Sequence, residues 1–500
     1  MASVRRCRRS GYAGIVAAML LATPVGSIAQ QRPLLGRAGP YDVSLRVPAP
    51  GPSRVGVPRP GPGDYRLGLT AAPKEGCVMP VTFTLRVGGP SPGDAGMPMG
   101  HGAMEGMAGM PMGFAGIPAT RGASGTAWQP DSTPTHAYHR MAGRWSLMQH
   151  YNLLVDYDRQ GGPRGGEQLN SLNWWMGMAR RQIGRAELMA RLMLSLDPAT
   201  ATPRGYPLLY QSGESYGGHP LVDRQHPHDL LMETATRLRY AVRPDTALSL
   251  YAALSGEPAL GPPGFPHRLS AMDTPPAPIS HHWQDSTHIT FGVLTAGVAH
   301  RNVQVEGSAF TGREPDEHRW NLDPIHIDSF AGRVTFNPGR DWSLQASYGY
   351  LHSPEALHPE EDVRRTTFSA MHNRPLAHGG NWASTFVWGC NRQRGANSDS
   401  LLLESTMNLA RRSTLLGRLE WVNKLGEELD VKPPEHKLGI TQLTLGGLHE
   451  LTPGRSYETG VGAAITFNWA PRELDRLYGR SPVGFWLFLR IRPAPMRHGM

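Results

Sequence analysis

Between Trp145 and Arg492 the chain repeats one unit, a segment of about ten residues in which apolar and polar side chains alternate. Side chains on a β-strand point to opposite faces in turn, so a period of two reads as a strand with one apolar face. In the last segment Val483, Phe485, Leu487, Leu489 and Ile491 share one face, and Trp486, Arg490 and Arg492 the other. Trp342, Leu344, Ala346, Tyr348 and Tyr350 alternate with Ser343, Gln345, Ser347 and Gly349 in the same way. A two-sheet sandwich would alternate equally well, so the links between segments decide. Short links at Arg243-Pro244-Asp245, Asn337-Pro338-Gly339-Arg340, Ala410-Arg411-Arg412 and Thr452-Pro453-Gly454-Arg455 take turns with long ones. The long ones run from about Asp197 to Leu230, Gly256 to Ser286, Arg313 to Ile327 and Leu425 to Glu435. Short turns on one side and long loops on the other predict an all-β fold, a transmembrane antiparallel barrel.

The segments number about sixteen, an even count that returns both ends to the same side of the membrane. They begin near Trp145, Leu169, Glu187, Leu230, Ala247, His288, Asn302, Asp328, Asp341, Thr366, Asn381, Ser400, Ser413, Lys437, Ser456 and Pro482. Leu169 to Met178 and Thr366 to Asn373 alternate poorly. Export fits this reading. Residues 1–29 combine Arg5, Arg6, Arg8 and Arg9, an apolar stretch from Gly14 to Leu21 and the small-residue site Ser27-Ile28-Ala29, the pattern of a cleaved signal peptide. The rest of the sequence has no apolar run of the roughly 20 residues a helical span needs, so a membrane-spanning chain of this kind must be a barrel. Lumen-facing polar side chains account for a hydrophobic fraction of only 39%. Cys7 leaves with the signal, and a disulfide between Cys77 and Cys390 is open but disfavoured, since they fall in separate regions. The net charge of +9 has no basic run beyond the signal, which argues against a nucleic-acid partner.

Residues 30–140 are rich in Gly, Pro, Ala and Met, with three β-like pieces at Tyr41 to Val47, Asp64 to Thr70 and Val81 to Val87. They read as a periplasmic segment, either flexible or a small β-unit, ahead of a barrel over residues 141–500. Within it lie Met97, Met99, His101, Met104, Met107, Met110 and Met112, and Met496, His498 and Met500 close the chain. Thioether sulfur is a soft ligand that favours Cu(I), and imidazole can join it. The alternative is a linker in which methionine is incidental; exposing methionine to oxidation weighs against it.

A second set of candidate ligands sits in two long loops. GGHPLVDRQHPHD carries His219, Asp223, His226, His228 and Asp229, and ISHHWQDSTH carries His281, His282, Asp285 and His288. His226 and His228 flank Pro227, with Asp229 as a third ligand or as an orienting group, a set suited to Zn²⁺ or Cu(II). The structural alternative is that these loops fold into the lumen and hydrogen-bond there as a constriction. A third loop, from Gly312 to Asn321, is expected in the same layer, with Arg313 pairing with Glu314.

The strings YQSGESYGGHPLVDRQHPHDLLME, PISHHWQDSTHITFGV, FTGREPDEHRWN, SYGYLHSPEAL and NWASTFVWG resemble a group of largely uncharacterised bacterial outer-membrane β-barrel proteins, often encoded beside heavy-metal and copper efflux genes. The resemblance spans roughly Tyr206 to Arg492. It implies a barrel in the outer membrane of a Gram-negative bacterium, and by association a link to metal efflux; it brings no catalytic residues.

Two functions of different classes follow. One is a channel or metal-handling barrel whose inward residues, such as Glu306, Arg333, Arg418 and Glu420, set the electrostatics, with lipid, metal ions or small solutes and periplasmic efflux components as partners. The other is a barrel that scaffolds a metal-assisted hydrolase, or a structural barrel plugged by its His/Asp loops. Ser, His and Asp within one loop are too common to count as a triad, and the expectation is a protein that is not an enzyme.

Overall fold

A computed structural model describes residues 113–453 and 455–496, together with four strands nearer the N terminus. Those four, Leu34–Ala38, Tyr41–Arg46, Gly63–Thr70 and Val81–Val87, form an antiparallel sheet in chain order within one compact unit. The signal segment, Cys77, the Met97 to Met112 tract, His498 and Met500 lie outside the described residues.

The second unit is a closed antiparallel barrel of sixteen strands. In chain order they are β1 (Trp145–Gln160), β2 (Gly166–Ile183), β3 (Ala186–Leu194), β4 (Leu231–Arg243), β5 (Thr246–Gly256), β6 (Thr290–His300), β7 (Val303–Phe310) and β8 (Ser329–Gly339). The second half comprises β9 (Trp342–Leu351), β10 (Val363–Pro375), β11 (Asn381–Gln393), β12 (Ala396–Leu409), β13 (Ser413–Leu425), β14 (Lys437–Glu450), β15 (Tyr457–Trp469) and β16 (Val483–Pro493). Each pairs with its sequence neighbours, and β16 closes on β1 from Gly484↔Gln160 to Ile491↔Leu153. A short strand, Tyr138–Ala142, covers the part of β1 that β16 leaves free. The observed starts follow the expected ones closely; the largest offset is Ser400 against an observed start at Ala396. The loop rhythm has two departures, since residues 161–165 and 394–395 are short links on the long-loop side.

Leu248, Leu250, Leu294, Val305, Phe330, Leu415 and Leu487 are exposed on the outside of the wall, an apolar surface that only lipid can cover. Tyr240, Trp342, Trp382 and Tyr457 ring its short-turn end, where aromatic side chains bridge hydrocarbon and water. The inward positions are buried, and they are not bathed in a wide pore. Residues 257–289, here called the lumen loop, cross the interior almost wholly buried. Phe265, Ile279 and Trp283 of that loop join Tyr206, Leu209 and Tyr210 of the 195–230 loop and Trp486 and Phe488 of the wall in one apolar core inside the barrel.

The loop's polar groups find partners on the wall, as burial requires. Arg268 pairs with Glu404 at 2.7 Å and with Asp285. Asp273 accepts from Arg490 at 2.7 Å and from Arg492 at 2.9 Å. Ser280 donates to Glu420 at 2.8 Å, and Arg418 to the Pro276 carbonyl at 2.7 Å. From the short-turn end, residues 113–137 also pack inside the barrel unit: Arg333 donates to Thr126 at 3.0 Å, Asn337 to the Gln129 carbonyl at 2.9 Å and Asn373 to the Ser132 carbonyl at 2.7 Å. The expected periplasmic segment, residues 30–140, thus overlaps residues 113–137 of the barrel unit. Of the expected inward residues, Arg333 is paired with Glu306 at 3.0 Å.

Candidate functional site

Two of the four long-loop histidines in the predicted set meet. His226, on the 195–230 loop, and His282, on the one-turn helix His281–Gln284 of the lumen loop, have ring centroids 6.3 Å apart. Between them sits Glu214, whose carboxylate is 2.9 Å from His226 Nε2. Single ligand atoms of Glu214, His226 and His282 all lie within 4.8 Å of one another. Glu314, from the 311–328 loop, lies 3.2 Å from His282 Nδ1. That leaves His282 Nε2 buried with no hydrogen-bond partner. An unpartnered imidazole nitrogen beside a second imidazole and two carboxylates is a donor set for Zn²⁺ or Cu(II).

Electrostatics prepare this cluster. Burial alone would raise the Glu214 pKa, but His226 and Arg319 more than offset it and hold the carboxyl well below the usual range. Burial disfavours a charged His282 ring, yet Glu314 and Glu214 lift its pKa above the ordinary value. His226 goes the other way, lowered chiefly by burial, and so presents a neutral ring.

The remaining predicted ligands take other polar partners. His228 pairs with Asp197 at 2.8 Å and not with the Glu214 cluster. Asp229 is not a ligand of either; Arg319 holds it at 3.1 Å and also binds Glu214 at 3.1 Å. His281 pairs with Asp285 at 2.7 Å. Its pKa falls to about 4, mainly from burial and against the pull of Asp285. Arg313 does not pair with Glu314 and instead donates to Ser353 at 2.9 Å, since His282 has claimed the glutamate. Glu214 carried no signal in the sequence beyond its place in a long loop. Glu314 was visible, with the wrong partner.

Beside the cluster opens a cavity of about 640 Å³ lined by the 195–230 loop, the 311–328 loop and residues 352–357. Glu214, Glu314, Asp316, Glu317, Asp323, Asp328 and Glu355 face it, against one arginine, Arg313. Burial, with Glu428 and Glu314 close by, pushes Glu355 up to about 8, so it carries its proton at neutral pH. Such an acidic mouth concentrates cations and repels anions.

No known family profile matches the sequence, and neither does any curated protein. Among solved structures the chain is similar to Salmonella typhi OmpF in complex with daunomycin (TM-score 0.44, 10% identity, covering 71% of this chain and 100% of that one). It is also similar to Vibrio cholerae OmpT folded in vitro (TM-score 0.40, 9% identity, 71% and 100%) and to Pseudomonas aeruginosa OpdQ (TM-score 0.37, 7% identity, 70% and 98%).

Proposed function

We propose that this outer-membrane barrel is a metal-handling protein, which captures divalent or soft cations of the copper and heavy-metal class at its outer mouth. The observation that carries the reading is the Glu214, His226, His282 and Glu314 cluster beside an acidic cavity, with one imidazole nitrogen buried and free. The Met97 to Met112 tract supports it independently, as a sequence whose thioethers and one imidazole suit Cu(I). Periplasmic efflux components are the partners such a protein implies. Catalysis is not part of the proposal.

Metal binding must expel protons from His282 and from any neighbouring protonated acid such as Glu355, so affinity should rise with pH across the His282 range. Titration of the detergent-folded protein with Zn²⁺ and Cu²⁺ is expected to release protons. His226→Ala should weaken binding about 10- to 100-fold while leaving the folded barrel's slow migration on unboiled gels intact. A second reading, a structural barrel closed by its own loops, draws on the dense pairing of the lumen loop. Under it, His226→Ala lowers thermal stability and leaves metal affinity unchanged, and that pair of results would remove the metal assignment at the mouth.

A further inference from the structure

Thioethers and imidazoles also gather on the wall made by β1 to β4, where nothing in the mouth site requires them. His150 of β1 stands opposite Met176 of β2, and Met176 stands opposite Met193 of β3. Directly paired residues on neighbouring strands bring their side chains into contact. Met193 is in turn opposite Glu233 of β4, where a break in the register next to Glu233 leaves Met232 as the extra residue, buried with the others. Met176, Met193 and Met232 pack in one cluster with Trp174 and Ile289. From the lumen side, His267 brings Nε2 to 3.3 Å from Met193 Sδ and leans on the Trp174 ring at 4.8 Å between centroids. His150 Nε2 is buried with no hydrogen-bond partner.

From these contacts we infer a second metal site, formed by His150, Met176, Met193, Met232 and His267, that takes a soft monovalent ion, Cu(I) or Ag(I). The inference rests on the reading of the barrel as metal-handling and names the ion that its interior would hold. Thioether and neutral imidazole are soft or borderline donors without charge. They can surround a monovalent ion in a dry interior at small desolvation cost, whereas a divalent ion there would lack carboxylates to neutralise it. Glu233, opposite Met193, is already taken by Arg191 at 3.1 Å and by the Tyr251 hydroxyl at 2.7 Å. Burial lowers the His267 pKa to about 3, so its ring stays neutral and available. The site is also linked to the mouth. His282, His281, His288 and His228 follow one another at ring-centroid separations of 5.3, 5.1 and 5.5 Å, and Phe265 touches His228 and His288 two residues before His267.

The test uses the full chain, with Met97, Met99, Met104, Met107, Met110 and Met112 changed to Leu so that the N-terminal tract binds no silver. Folded in detergent, this protein should bind Ag(I) with sulfur neighbours visible at the silver absorption edge. Adding Met176→Leu, Met193→Leu and Met232→Leu should weaken Ag(I) binding about 100-fold and remove the sulfur signal. Zn²⁺ binding at the mouth and migration on unboiled gels should stay as before. Unchanged Ag(I) affinity in the triple variant would show that the methionines only fill space, which overturns the site while leaving the mouth reading intact. A background protein that binds neither Zn²⁺ nor Ag(I) would overturn both. If the triple variant does not fold, Met193→Leu and His267→Gln singly decide by the same titration, each expected to weaken Ag(I) about tenfold.

Discussion

The lumen loop lies between two walls of opposite chemistry. On one side, β12, β13 and β16 present Glu404, Glu420, Arg418, Arg490 and Arg492, each bonded to a group of the loop. On the other, β1 to β4 present His150, Met176, Met193 and Met232, and the loop meets them through His267 and the Met272 carbonyl, which accepts from Asn152 at 2.7 Å. Charged pairs in a dry interior fix a geometry, because separating them strands a charge. Thioethers are buried at little cost and keep their lone pairs. The division therefore separates holding the loop in place from offering ligands to an ion.

Breaking the charged wall should have the largest effect. Arg268→Met leaves Asp285 buried without an arginine and Glu404 with Arg418 alone, at 3.6 Å, and removal of one partner of a buried pair costs about 3–5 kcal/mol. The strand ladder does not depend on Arg268, so the expected result is a closed barrel whose lumen loop becomes open to protease, read by cleavage within residues 257–289.

Acidification acts on the same loop more gently. His281, His288 and His267 have pKa values lowered by burial, His281 to about 4. A displaced loop regains the ordinary His value of about 6.5, so it binds more protons than the packed loop as the pH falls below that value. Packing is then at full strength above about pH 6.5 and weakens by about 1.4 kcal/mol per ring per pH unit down to each folded pKa. His282, whose pKa is raised, works in the opposite sense as one ring against three. Protease sensitivity of the loop should therefore increase from pH 7 to pH 4.5; a flat profile would contradict the burial of neutral rings.

The soft wall should show the smallest stability effect. Met→Leu nearly conserves volume and usually costs less than about 1.5 kcal/mol per site, so thermal unfolding of Met193→Leu should shift only slightly. A loss comparable to Arg268→Met would mean that the soft wall also anchors the loop.

The barrel was legible because period-two alternation and loop length are local properties. The two segments that alternated poorly show where this fails. In β2, Leu172, Trp174 and Met176 face inward against the lumen loop, so apolar residues stand on the face expected to be polar. The mouth site was half legible: His226 and His282 stood out as imidazoles in long loops, but their meeting depends on how two loops fold across one lumen. His150, Met176, Met193 and Met232 share a row only through the stagger of four strands, a register that no single segment of sequence specifies.

The most direct test of the central claim, a lumen closed by its own loop, is the single-channel conductance of the native protein in a planar bilayer at neutral pH. Native barrels should be electrically silent or nearly so, and a variant carrying Arg268→Met with Asp273→Asn should conduct. Steady conductance of the native protein at the level of an empty sixteen-strand barrel would contradict the account.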